Sequence, residues 1–192
     1  MSTLLSVVLI LLLLGGIGLV VYGVLLYNGL IQVKHNVDQA WANIDVLLKQ
    51  RHDELPKLID TVRSYMVYEQ DLMTRLTELR ARTGSGSSDP ATLQAEGALS
   101  SGLGRLFAVA ENYPELKANQ NFLQLQGRMS GLEEQISHRR EFYNQAVNIN
   151  NVRKEQFPDA LLAGPAGIVP RPLFEATAQE KADIAIGDRL KI

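Results

Sequence analysis

The residues able to do chemistry are few and badly spaced for it. Histidine occurs only at His35, His52 and His138, with no His-x-x-x-His and no Glu-x-x-His between them, whereas a di-iron bundle needs two copies of the latter on facing helices. Glu134 and His138 stand four apart on one helix face, a spacing that could hold a metal ion but is far more often an exposed helix pair. The stretch "GSGSSDP", residues 84–90, has the glycines of a phosphate loop without the Gly-Lys-Ser/Thr that must follow or the strand that must precede. Its serines, like Ser100 and Ser101, have no neighbouring histidine to activate them. No cysteine occurs, which excludes disulfides, thiolate metal sites, cysteine nucleophiles and lipid attached to cysteine. The expectation is therefore no catalytic residue, no metal and no cofactor.

Polar residues in apolar positions say more. Arg51, Glu69, Arg139, Asn150 and Arg153 interrupt two seams that helix packing would fill with leucine, and an unpaired buried charge costs several kcal/mol. The first seam runs Trp41, Ile44, Leu48, Arg51, Leu55, Leu58, Val62, Tyr65, Glu69, Leu72, Leu76 and Leu79, in unbroken steps of three and four. Ten of these twelve are apolar, so the stretch reads as one face of a helix. The second seam runs Phe122, Leu125, Met129, Leu132, Ile136, Arg139, Tyr143, Ala146, Asn150, Arg153 and Phe157. Antiparallel packing with Glu69 facing Arg139 would bring Arg51 toward the Asn150–Phe157 end. Such groups either set helix register, as polar seam residues do in coiled coils, or line a polar cavity. The first reading is preferred.

These seams require long helices. Residues 28–82 read as one helix kinked near Leu55, because the pattern stays in phase through Pro56 despite the cost of an internal proline; a tight corner at Pro56 is the alternative. "RTGSGSSDPATL" is a break, with Asp89 as N-cap and Pro90 in the first turn of a shorter helix over 90–111, weakened by Gly97, Gly102 and Gly104. Asn119 is the candidate cap of the last long helix, 119–157. Residues 158–192 form an extended tail rich in proline and glycine. Strand alternation is absent, so the fold class is all-α: an antiparallel up-and-down helical bundle.

Ahead of the bundle, residues 1–27 form a transmembrane anchor. Leu4 to Leu26 is an apolar run broken only by Ser6, Tyr22 and four glycines, and at about 1.5 Å per residue a helix of that length crosses the roughly 30 Å hydrocarbon core. The first charged residue is Lys34, so the basic start of a signal peptide is missing. Tyr22 and Tyr27 fall where aromatic rings favour the membrane interface.

Tyr27-Asn28, "AWANIDVLLKQR" (Ala40 to Arg51), Leu55-Pro56, Val62, Tyr65, Glu69, Ala81-Arg82, "YPELKAN" (Tyr113 to Asn119), Phe122, Leu125-Gln126, "RREFYNQAV" (Arg139 to Val147), Asn150 and Phe157-Pro158 together carry a resemblance to the LemA family of bacterial membrane proteins. It implies one N-terminal span and a helical bundle, and no catalytic residues. The Gly-Pro-rich insert and the "IAIGDRLKI" ending depart most from the family pattern.

The functional expectation is a non-enzymatic, membrane-anchored scaffold or assembly protein. The alternative is a sensing module that receives an anionic ligand or partner segment near Arg51, Asn150 and Arg153. The net charge of −2 with both signs interspersed makes nucleic acid an unsuitable partner; the lipid bilayer and other membrane proteins are the expected ones. Localisation in the bacterial inner membrane follows, with the N-terminus outside and the bundle cytoplasmic by the positive-inside rule. In the register above, residues 28–48 project beyond the last helix as a stalk. Its apolar stripe of Trp41, Ile44 and Leu48 then needs cover, from a second copy in a homo-oligomer or from the tail.

Overall fold

The computed structural model describes residues 1–84 and 86–174. Among these residues there are six helices and no strand: α1 (Ser2–Arg63), α2 (Gln70–Arg82), α3 (Pro90–Ala110), α4 (Pro114–Lys117), α5 (Gln120–Glu155) and α6 (Ala160–Ala163). The chain is all-α, as its periodicity predicts. Residues 175–192, including the whole "IAIGDRLKI" ending, lie outside the described residues.

α1 carries the apolar run into the polar sequence without interruption. It is long and apolar enough to cross a membrane, and the window that qualifies buries none of its surface inside the protein. It also continues through Pro56. A proline has no N–H for the carbonyl four residues earlier, here that of His52, and Arg80 of α2 donates its Nε–H to this carbonyl at 3.2 Å instead.

The helix expected over 28–82 is two helices, and the division falls at Ser64–Glu69 rather than at Pro56. The Val62 carbonyl accepts from both Tyr65 N and Met66 N, ending α1 in a turn that drives Met66 into the core. "SYMVYE" holds aromatic and β-branched residues with middling helix propensity, and tertiary burial outweighs that weak preference.

Two compact units are present. One comprises Met1–Gln39 with Gln145–Arg171, the other Ala40–Asn144 with residues 172–174. In the second, Leu55, Leu58, Val62, Met66, Leu72, Leu76, Leu99, Leu103, Phe122 and Met129 share one core. Gly102 lets α2 approach α3, since a Cβ there would stand 2.8 Å from Leu76 Cδ2. Asp89 caps α3 by accepting from Ala91 N and Thr92 N. Asn119 caps α5 through its oxygen, and its amide donates to the Tyr65 hydroxyl at 3.0 Å.

In the first unit, Leu30 is buried against Ala163, Ala166 and Ile168, with Ile31 and Leu162 beside them. Residues 28–39 are thus no bare stalk, since Leu30, Val33 and Val37 are all buried. The tail is a one-turn helix followed by chain without regular structure to Phe174.

Candidate functional site

Arg51, on α1, is fully buried and lies between two carboxylates. Its Nη2 pairs with Glu96 of α3, itself buried, and its Nη1 pairs with Glu133 of α5 at 2.6 Å. Nη1 also donates to the Ser100 hydroxyl at 2.7 Å, and Nη2 reaches the Glu96 carbonyl at a long 3.5 Å. Three helices meet on one guanidinium, and among the described residues its Nε–H has no acceptor. Burial pushes the Glu96 carboxyl above its ordinary range, against the opposing pull of Arg51. That is the expected balance when two acids share one base in a dry site.

The glycine linker closes over this region. Gly84 has φ +84°, and a Cβ there would meet His52 Nδ1 at 2.9 Å, so conformation and clearance both demand glycine. Burial and the neighbouring Arg80 hold the His52 imidazole below its usual pKa. Two residues on, the Gly86 carbonyl accepts from Trp41 Nε1 at 3.1 Å.

The five expected seam residues fare differently. Arg51 is buried as anticipated, yet its partners are Glu96 and Glu133 rather than the far end of α5. Glu69 does not face Arg139: it stands half-buried at the N-cap of α2 without a side-chain capping bond, and Arg139 is exposed. The expected register fails because α1 stops at Arg63. Within the second unit α1 and α5 instead pair Arg51 with Glu133 and Trp41 with Tyr143, whose ring centroids are 5.6 Å apart. The inward arginine is Arg140, placed over the Phe174 ring at 4.7 Å.

Asn150 and Arg153 belong to the first unit and hold the tail. Asn150 is buried and donates to the Val169 carbonyl at 2.8 Å. Arg153 pairs with the buried Asp159 at 3.1 Å. Beside them Asn151, absent from the expected set, both accepts from Arg171 N and donates to Arg171 O, each at 3.0 Å.

Ile44 and Leu48 are buried inside the chain and Trp41 is half-buried against Tyr143. The cover that the stripe requires comes from within, so the stripe no longer calls for a second copy. Tyr22 and Tyr27 are exposed. Glu134 and His138 are exposed as well.

A helix fit to cross a membrane, leading into an α-helical body with a buried arginine paired to two carboxylates, defines a class of membrane-associated helical protein. The comparisons with known proteins make the class specific. A model described as "LemA family" matches residues 40–187, and the chain belongs to that family. It is 25% identical to Protein LemA of Metamycoplasma hominis over 82% of this chain and 72% of that protein. It is 21% identical to magnetosome protein MamQ 2 of Paramagnetospirillum magneticum, covering 78% of this chain and 64% of the relative. Against magnetosome protein MamQ of Magnetospirillum gryphiswaldense it is 20% identical over 71% of this chain, which spans 60% of that relative's length.

Proposed function

We propose that the chain is a non-enzymatic scaffold of the LemA type, anchored by a single span in the bacterial inner membrane and holding other membrane proteins in place. The observation that carries this reading is the Arg51 cluster. A guanidinium meant for an anionic ligand must keep donors available, yet both Nη atoms of Arg51 are bonded to Glu96, Glu133 and Ser100. Buried charges paired with one another across three helices rigidify a fold and help to specify one arrangement. Charge supports placing the N-terminus outside and the helices after the span in the cytoplasm, because Lys34 follows the span closely.

The test is thermal denaturation of the full-length protein in mild detergent against a panel of anionic metabolites. The melting temperature is expected to stay unchanged across the panel. A saturable rise with any member would favour a ligand-sensing module instead. Because the chain lacks cysteine, Ser88→Cys gives a clean topology probe. It is expected to resist a membrane-impermeant thiol reagent in intact cells, and labelling there would reverse the orientation.

A further inference from the structure

Two large apolar side chains at the end of the first unit stand in the open. Phe157, just past α5, is 77% exposed and Leu161, in α6, is 70% exposed. Around them the chain is tightly held. Arg153 pairs with Asp159 across the turn, and Leu162, Ala163, Ala166 and Ile168 pack on Leu30 and Ile31 of α1. The turn is therefore fixed in place, with its most apolar side chains directed away from the protein.

Its level along α1 follows from the same contacts. The Arg153 guanidinium lies 3.5 Å from where a Cβ on Gly29 would stand, and Lys34 Nζ lies 3.2 Å from the corresponding point on Gly167. Gly29 is three residues past Leu26, about 4.5 Å of helix rise. The headgroup layer on each side of a roughly 30 Å hydrocarbon core is about 5–7 Å deep. The turn thus sits where α1 leaves the hydrocarbon, at the level of Tyr27. Cationic Lys34 and Lys154 stand at the same end of the unit, suited to lipid phosphates.

We infer that the Gln156–Pro165 turn is a second membrane contact, in which Phe157 and Leu161 enter the interfacial layer of the leaflet that α1 leaves. Continuity with the span selects the bilayer as the occupant: the residues that hold the turn are those immediately following the apolar run. The inference rests on the reading of Leu4–Leu26 as a membrane span.

The test uses the full-length chain with its single tryptophan removed by Trp41→Phe. A new tryptophan is then placed by Phe157→Trp, by Leu161→Trp or, as a reference inside the span, by Tyr22→Trp. Each protein is reconstituted in vesicles of phosphatidylcholine and phosphatidylglycerol, with the phosphatidylcholine either plain or brominated high on its acyl chains. The Phe157→Trp and Leu161→Trp indoles are expected to lose emission in brominated vesicles by a factor comparable to that of Tyr22→Trp. Full emission from both, with Tyr22→Trp quenched, overturns the second contact and leaves the span intact. Blue-shifted emission that bromine does not quench also overturns it, and assigns the turn to a protein partner. An unquenched Tyr22→Trp refutes the span itself.

Discussion

In the second unit α5 presents a carboxylate, Glu133, to a buried guanidinium; in the first the same helix presents two amides, Asn150 and Asn151, to chain that has no secondary structure. The difference follows from what each partner lacks. α1 and α3 satisfy their own backbones, so where they meet α5 only side chains need partners, and a charge can be buried if opposite charges surround it. Residues 168–174 have no ladder to satisfy their N–H and C=O groups. A carboxamide carries one donor face and one acceptor face, which matches a peptide unit. Asn144 repeats the device within the second unit, bonding both Phe174 N and Phe174 O at 2.8 Å. The choice therefore tracks the partner's backbone and not the unit.

The comparison breaks most severely at Arg51. Arg51→Met strands the buried Glu96 carboxylate and is expected to cost about 3–5 kcal/mol, read from the denaturant midpoint of the full-length protein in detergent. Adding Glu96→Leu should recover most of that loss, because a buried pair and a well-packed apolar pair differ little in energy. A double variant as unstable as Arg51→Met would mean that packing rather than charge governs the site.

A smaller effect is expected from the amides. Asn151→Leu keeps the shape and removes three hydrogen bonds, the two to Arg171 and the one accepted from Asn150 at 3.1 Å, for about 3 kcal/mol in all. Its consequence should be local: faster amide exchange at Arg171, with the core of the second unit still protected. Asn144→Leu should do the same at Phe174. Global loss of protection in either variant would show that the tail is part of the cooperative core.

The smallest effect separates the two devices by pH. Burial raises the Glu96 carboxyl above its ordinary value of 4.5, so the folded chain holds that proton more tightly than the unfolded one. Its contribution to stability is fully present below pH 4.5 and declines as pH rises toward the folded-state value. Glu96→Gln should flatten this slope in the denaturation midpoint, whereas Asn151→Leu should leave it unchanged. Equal slopes in wild type and Glu96→Gln would remove Glu96 as the titrating group.

Much of the fold was legible because periodicity reports which residues face a core. Leu55, Leu58, Val62, Leu72 and Leu76 are all buried as the first seam requires. The seam stayed in phase across the turn at 64–69, since α2 packs on the same core, and so the pattern could not show that the backbone breaks there. Asp89 and Asn119 were legible because a cap needs only one residue type at one position. Glu96 was missed because its helix, read as weakened by glycine, gave no reason to expect a buried acid. Gly102 is instead the point at which α3 admits Leu76. Arg140 was displaced by one from the expected Arg139, a shift within the drift of a three-and-four count along a helix as long as α5. Of the residues that hold the tail, Asn150 and Arg153 were legible as polar groups on an apolar seam, but Asn144 and Asn151 were not: an asparagine on a helix looks the same whether it meets water or a peptide unit.

Pro56 deserves a different description from that of an interruption. Hydrogen-bonded turns along a helix are nearly identical, so a neighbour gripping by apolar side chains alone could slide by one turn and lose little. By omitting its N–H, Pro56 leaves the His52 carbonyl as an acceptor that the regular turns around it do not offer, and Arg80 occupies it. The proline thereby converts a translationally repetitive rod into one with an origin, from which the position of α2 along α1 is measured.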